Sequence, residues 1–326
     1  MVKRLRRPRI VIVTPYLADA NNGNWRTAHR WAEFLAPRYE AILQPEWQGH
    51  ACDLLVALHA RRSHESIARF AANFPSIPIV LVLTGTDLYR DIKDNPQART
   101  SLDLAAALVV LQEDAIRFVP AAHRQKTHIV FQSARPLKPA VKSRGSLQCV
   151  MVGHLRPEKD PLTALRSLEY LDRSLPVHLL HIGRALDHQL GQAATLLAGR
   201  DRRYRWADAL PHGLTRAAIK RAHLLIHPSL MEGGANVIVE ALTAGTPVLA
   251  SHMSGNIGML GKDYPGYFEV GDAEGLAALI QQCLADANFY SRLNNAAKVR
   301  ASLFQPEEES RKLRLLVSQL LPDSSD

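Results

Sequence analysis

His227-Pro-Ser-Leu-Met-Glu-Gly-Gly-Ala-Asn-Val-Ile-Val-Glu240-Ala-Leu-Thr-Ala-Gly-Thr-Pro-Val-Leu-Ala-Ser251 carries every signal of one strand–loop–helix–strand unit. An apolar run ends at His227, Gly233 and Gly234 make a turn, and apolar residues at helical spacing begin near Ala235. Gly245 supplies the helix cap, and Thr246-Pro247 opens the next strand. This order demands two parallel strands joined by a crossover helix.

The same grammar extends along the chain in both directions. The sequence predicts strands near 10–14, 53–58, 79–83, 107–111 and 127–131, with helices near 25–36, 63–73 and 112–119. A stretch rich in proline, charge and small residues, Ser133 to Gly145, reads as a linker. A second series follows, with strands near 147–152, 177–182, 223–227 and 247–250. Its helices are expected near 161–171, 186–198, 214–221, 235–244 and 273–285. The expectation is an α/β chain of two doubly wound, Rossmann-like domains, 1–138 and 139–304. Residues 287–321 keep a helical period with Leu313, Leu316, Val317 and Leu320 on one stripe. Their end, 305–326, is a helix that could cross back to the first domain.

At 326 residues the chain has room for two cores, with 47% apolar and 22% charged residues. Disorder is excluded. The longest apolar runs, Ile10–Val13 and Ala105–Leu111, are far shorter than the roughly 18 residues of a spanning helix, so no integral membrane association is expected. Cys52, Cys149 and Cys283 are odd in number, far apart and set in apolar stretches, which reads as reduced core thiols. The basic start, Met1 to Arg9, resembles a signal-peptide n-region, but Pro15 and Asp19 interrupt the run behind it, so a cytoplasmic protein with a solvated basic tail is expected. The net charge of +9 favours anionic ligands without choosing among them. Lys and Arg are scattered and aromatics are only 6%, which argues against a nucleic-acid-binding protein.

In open parallel sheets the ligand sits beyond the carboxyl ends of the strands, so function belongs in the loops there. The backbone N–H groups of Gly234, Ala235 and Asn236 at a helix start form an anion cradle. Glu232 before the helix and Glu240 within it suit sugar hydroxyls better than phosphate. No Asp-x-Asp after a strand, no HExxH and no Cys/His cluster occurs, so no metal is expected. No Gly-x-Gly-x-x-Gly follows the first strand, which weakens a nicotinamide dehydrogenase.

The segment Pro228-Ser-x-x-Glu-Gly-Gly-x-Asn-Val-x-x-Glu240-Ala-x-x-x-Gly-x-Pro-Val resembles the signature of retaining glycosyltransferases of the two-domain GT-B fold, family four. The resemblance implies two domains facing a central cleft. It gives Glu240 the ribose of the nucleotide, and Glu232, Gly233, Gly234, Ala235, Asn236 and Val237 the donor sugar and diphosphate. Val150-Met-Val-Gly-His-Leu-Arg-Pro-Glu-Lys-Asp160-Pro resembles the family's Gly-Arg-Leu-x-x-x-Lys-Gly loop, whose cations neutralise the diphosphate. Gly153 and Lys159 match it directly. His154 stands at the family's Arg position and Arg156 two residues on, so either one is the second cation; with Lys159 and Glu232 they form the expected catalytic set.

Asn21-Asn22-Gly23-Asn24-Trp25-Arg26-Thr27 resembles the family's loop facing donor phosphates and acceptor, with Gly23 and Asn24 on the donor. His59-Ala-Arg-Arg-Ser-His64 and Thr84-Gly-Thr-Asp-Leu-Tyr-Arg90 end strands of the first domain. They bring Arg61, Arg62 and Arg90 to strand-end loops, which suits an anionic acceptor. Arg26, His59, Gly85, Thr86 and Asp87 complete the expected acceptor set, and Asp87 is the one acid left over as a candidate nucleophile.

Taken along the full chain, these motifs with Asp263-Tyr-Pro-Gly-Tyr-Phe resemble a narrower branch, the selenosugar synthases of selenoneine biosynthesis. That resemblance implies transfer of N-acetylglucosamine or glucose from a UDP-sugar, a substrate rather than a cofactor, to selenophosphate. The product is a 1-seleno sugar, with UDP and phosphate released. The alternative is a retaining transferase acting on a hydroxyl acceptor of a lipid or glycan.

Overall fold

The computed structural model describes residues 6–15 and 23–321 of the chain. It divides into two compact units: residues up to Gln132 together with those from Pro306 onward, and Ser133–Gln305. Each is a parallel sheet covered by helices, so the doubly wound α/β expectation holds for both.

In the first unit, β1 (Arg9–Val13), α1 (Gly23–Leu35), β2 (Glu40–Gln44), β3 (Leu54–Leu58), α2 (His64–Asn73) and β4 (Ile79–Leu83) follow in order. After β4 the chain makes a π-helical turn, Asp87–Asp91, that runs into α3 (Ile92–Asp94) and α4 (Pro96–Leu104). β5 (Ala107–Val110) and β6 (Thr127–Ile129) complete a parallel sheet of order β2-β1-β3-β4-β5-β6. The interior strands β3, β4 and β5 are buried at every position, which is why they read as continuous apolar runs without alternation. The stretch expected as a helix over 112–119 is a 3-10 segment, Glu113–Phe118. Arg9 lies in β1 and pairs with Glu40 at 3.1 Å, so this end of the basic tail is tied to the sheet edge. Residues 1–5, and Asn21 and Asn22 of the quoted loop, fall outside the described residues.

The second unit comprises β7 (Leu147–Val152), α5 (Pro161–Ser167), β8 (Val177–Ile182), α6 (His188–Arg200), β9 (Tyr204–Trp206), α7 (His212–Arg221), β10 (Leu224–His227), α8 (Asn236–Leu242), β11 (Val248–Ser251), α9 (Ser254–Leu260), β12 (Tyr267–Phe268), α10 (Ala273–Ala285) and α11 (Ala287–Ala301). Its sheet order is β12-β11-β10-β7-β8-β9, all parallel. Numbered within the unit this is the dinucleotide-fold order, and the order reverses between β7 and β10. Ligands of such sheets bind at that reversal. The loops after β7 and β10 are the two that carry the sequence motifs.

The period expected to run unbroken over 287–321 is divided: α11 stops, Ser302–Phe304 make a 3-10 turn, and Pro306 starts α12 (Pro306–Leu320). α12 belongs to the first unit, where Leu313, Leu316 and Val317 join the core of Ile10, Ile12, Trp31 and Leu35. Its Glu309 is 2% exposed and accepts from Arg30 at 2.7 and 3.0 Å and from Trp31 Nε1 at 2.8 Å. All three cysteines are free and buried, and burial pushes the thiols of Cys52 and Cys283 up to about 11 and about 12.

Candidate active site

The loop leaving β7 turns at Gly153, passes His154 and Arg156, and makes a 3-10 turn at Pro157–Lys159 before α5. It is bound to the loop leaving β10, because the Leu230 N–H donates to the Glu158 carbonyl at 2.9 Å. The two loops are therefore one unit of structure, and it brings Lys159 to Glu232. The Lys159 ammonium donates to Glu232 Oε1, with the two side chains only 16% and 11% exposed. His227 Nε2, at the end of β10 and fully enclosed, lies 3.5 Å from the same oxygen. Burial pushes the Glu232 carboxyl up, but the Lys159 ammonium and His227 outweigh it and hold the carboxyl well below the usual range. Glu232 is an anion at neutral pH.

The backbone of Glu232 is pressed from behind. A Cβ at Gly255, in the first turn of α9, would sit 2.1 Å from the Glu232 carbonyl oxygen, so only glycine admits this approach. Gly183, just after β8, plays the same part for the other loop, since a Cβ there would sit 1.9 Å from the Gly153 carbonyl oxygen. That carbonyl accepts from His181 Nε2 at 3.1 Å, and His181 Nδ1 lies 3.0 Å from the Tyr204 hydroxyl. Nε2 is thus the protonated nitrogen, and the phenol donates to Nδ1. Burial lowers the His181 pKa to about 4, so the ring is neutral.

His154 accepts a hydrogen bond at Nδ1 from the Arg184 backbone N–H, 3.0 Å. Burial, and then Arg156, Lys159 and Arg184, lower its pKa. It therefore offers a neutral Nε2–H, and the positive charges of this loop are those of Lys159 and the exposed Arg156. Gly233 and Ala235 are buried and Gly234 partly so as the chain enters α8, with Ala235 at the cap position and Asn236 and Val237 in the first turn. Glu240, one turn further, is 7% exposed, and His212 Nε2 from the start of α7 lies 2.7 Å from its Oε1.

In the first unit the strand-end loops after β3 and β4 interlock. His59 has φ 77° and is 2% exposed; its Nδ1 accepts from the Arg62 N–H at 3.3 Å, so its Nε2–H is the one that donates to Thr86 Oγ at 3.0 Å. Asp87 departs from its expected place on the acceptor. It is 0% exposed, and its carboxylate accepts backbone N–H bonds from Ala60, Thr84 and Gly85, each at 2.9 Å. These three bonds tie the two loops together and give the enclosed Asp87 carboxylate a structural part in the first unit. Gly85 makes this possible with φ 137°. Arg61 and Arg90 instead share Asp91, at 2.8 and 3.4 Å. Burial raises the Asp91 carboxyl, but Arg61, Arg90 and His59 bring it down on balance. Arg62 and Arg90 are exposed, and Arg26 is half-buried on α1, which begins with Gly23 and Asn24.

His212, His227, His181, Asp91 and Gly255 do not stand out in the sequence as site residues. Gly255 alone had a local signal, a glycine in the first turn of a helix after a strand. The histidines reach their partners across 28 residues or, for His227, through a loop whose path spacing does not give. Among the described residues no three His, Cys, Asp or Glu side chains gather as a metal site requires. Nor, among them, is any helix long and apolar enough to cross a membrane.

The family model of glycosyl transferases group 1 matches residues 137–300. No curated protein matches the chain at a significant level. Among solved structures it is similar to HepE of Anabaena in complex with UDP and glucose, with TM-score 0.73 and 16% identity over 96% of this chain and 100% of that one. It is similar to sucrose-phosphate synthase of Thermosynechococcus elongatus, with TM-score 0.79 and 16% identity over 98% and 100%. The pneumococcal O-GlcNAc transferase GtfA in complex with UDP and GlcNAc gives TM-score 0.65 and 15% identity over 83% of this chain and 57% of that one. At such identities the likeness is one of fold.

Proposed function

Because the chain belongs to the glycosyl transferases of group 1, we propose that this glycosyltransferase moves N-acetylglucosamine or glucose from UDP to selenophosphate with retention of the anomeric configuration. The carbon–selenium bond forms as UDP leaves, and water then takes the phosphoryl group, giving a 1-seleno sugar and phosphate. The observation that carries the reading is the Lys159–Glu232 pair at the β7/β10 reversal, inside the matched residues. UDP as the carrier is supported by HepE and GtfA, both solved with UDP. Selenophosphate is supported by the motif resemblance along the chain and by the cations Arg61, Arg62 and Arg90 on the first unit.

Lys159 and Arg156 neutralise the departing diphosphate, with the His154 N–H and the amides of Gly233, Gly234, Ala235 and Asn236 beside them. Glu232 accepts from sugar hydroxyls and Glu240 from the ribose. A double displacement needs a free carboxylate beneath the anomeric carbon. Glu232 is bonded to Lys159, Glu240 to His212, and Asp87 is enclosed, which favours front-face attack. Selenophosphate is charged at neutral pH and polarizable, so no base is required.

The test is mass-spectrometric turnover of UDP-N-acetylglucosamine and UDP-glucose with selenophosphate, thiophosphate, phosphate and alcohols, each with and without EDTA. The expected result is an α-linked seleno sugar by proton-coupling NMR, formed equally with chelator. Turnover with alcohols alone would make this a hydroxyl-acceptor transferase. Activity lost to EDTA and restored by magnesium would overturn the assignment of charge neutralisation to Lys159 and Arg156.

A further inference from the structure

Glu232 Oε1 has two basic neighbours, and only one of them holds it. The Lys159 ammonium donates to that oxygen, whereas His227 Nε2 stands 3.5 Å away, enclosed and without a hydrogen-bond partner among the described residues. The His227 ring is 2% exposed, and a buried polar atom left unpaired in a folded chain calls for a reason. The charged groups that act on it are Glu232 from the loop after β10 and Lys159 from the loop after β7. Ala250, its register partner on β11, and Met151, which faces the preceding residue from β7, carry no charge. Burial lowers the His227 pKa, Glu232 raises it and Lys159 lowers it again, with the balance below the ordinary histidine value. While the ammonium is in place the ring is neutral.

The two bases differ in how they can respond to a ligand. Lys159 carries its charge on a flexible four-carbon stem and can follow an anion. His227 is fixed at the end of a strand with neighbours on both sides, and what it can change is its charge. A diphosphate that takes the ammonium leaves Glu232 an enclosed anion beside a neutral ring, and adds negative charge close by. Both changes favour the imidazolium.

We propose that His227 replaces Lys159 as the charged partner of Glu232 when a nucleotide sugar binds, taking up one proton from solvent as it does so. The proposal rests on Lys159 being the residue that meets the donor diphosphate. His227 acts through Glu232 and is a positioning residue.

The experiment is titration calorimetry of UDP-glucose and UDP-N-acetylglucosamine into the full chain, in PIPES and in imidazole, two buffers of very different ionisation enthalpy. The pyrophosphate diester of these donors does not titrate near neutrality, so a proton taken up goes to the protein. Near pH 7 the unsubstituted protein should take up most of one proton. Its affinity should rise by up to tenfold for each unit that pH falls between the bound and free pKa values of the ring. His227→Gln, which keeps an N–H but cannot be charged, should lose the uptake and flatten the pH dependence. Histidine-ring NMR of the unsubstituted protein reads the same event without a variant, and the His227 pKa should rise by about one unit or more on saturation with donor. No uptake in the unsubstituted protein, an uptake that survives in His227→Gln, or a ring whose pKa stays put overturns the exchange. If neither nucleotide sugar binds, the donor reading itself falls and the proposal with it, a result that calorimetry separates from binding without proton uptake.

Discussion

Lys159 and Glu232 are bonded to each other although 73 residues separate them and they follow different strands. Each is the nearest opposite charge to the other in a largely enclosed site. A diphosphate that draws the ammonium away must leave Glu232 with a replacement, and sugar hydroxyls together with His227 at 3.5 Å can supply it.

Removing one partner should therefore cost both activity and stability. Lys159→Ala should lower kcat by about a hundredfold or more, as loss of transition-state charge stabilisation does. It should also destabilise the second unit by about 3 kcal/mol, because Glu232 is left buried without its cation. Urea unfolding and steady-state rates measure the two effects. A variant as stable as the parent would show the pair to be unimportant for the fold.

Asp87→Ala should behave as a folding variant. It leaves three backbone N–H groups of the β3 and β4 loops without their acceptor, which costs about 3 kcal/mol or more. Soluble yield and the denaturation midpoint should fall. Residual turnover should follow the folded fraction, whereas turnover abolished in fully folded protein would return Asp87 to the chemistry.

The acceptor cations should act separately from the donor site. Arg62→Ala and Arg90→Ala should each raise the acceptor KM about tenfold, as expected for a lost charge-assisted hydrogen bond. UDP affinity, measured by calorimetry, should be unchanged. Arg61→Ala should do more damage, because it also removes the 2.8 Å partner of the nearly enclosed Asp91. Equal losses for both ligands would refute the placement.

Stability should fall as pH drops from about 6.5 towards 4. Burial holds the His181 pKa down to about 4 against an unfolded value of 6.5. Between these values the unfolded chain binds the extra proton, so the contribution is whole above 6.5 and is lost as pH falls through the folded value. At 1.36 kcal/mol per pH unit it amounts to about 3 kcal/mol. Thermal midpoints of the parent and of His181→Gln, measured over this range, should converge in acid. Parallel curves would contradict the assignment.

The second unit was legible because its candidate site lies in short spacings. Gly153 to Lys159 and Glu232 to Glu240 are runs in which residue type and interval together describe a loop and a helix start. The edge strands β2, β9 and β12 escaped because Glu40–Gln44, Tyr204–Trp206 and Tyr267–Phe268 are short or only partly covered. Asp87 was misplaced for a different reason. Sequence shows an acid at a strand end, but whether it faces a ligand or the backbone of the next loop depends on burial, and burial is a tertiary property. His212 shows the same limit, since it lies 28 positions before Glu240 and nothing between ties the two together.

The return of α12 to the first unit bears on how the chain is made. The second unit is one uninterrupted stretch, Ser133–Gln305, and every residue of its core is present before α12 leaves the ribosome. The first unit emerges earlier but stays unfinished: Trp31 and Arg30 wait for Glu309, and Ile10 and Leu35 for Leu313 and Val317. The unit synthesised first is therefore the last to close. A stop codon near residue 305 would spare the distal unit and strip a wall from the proximal one, more than 250 residues upstream of the lesion at Arg30.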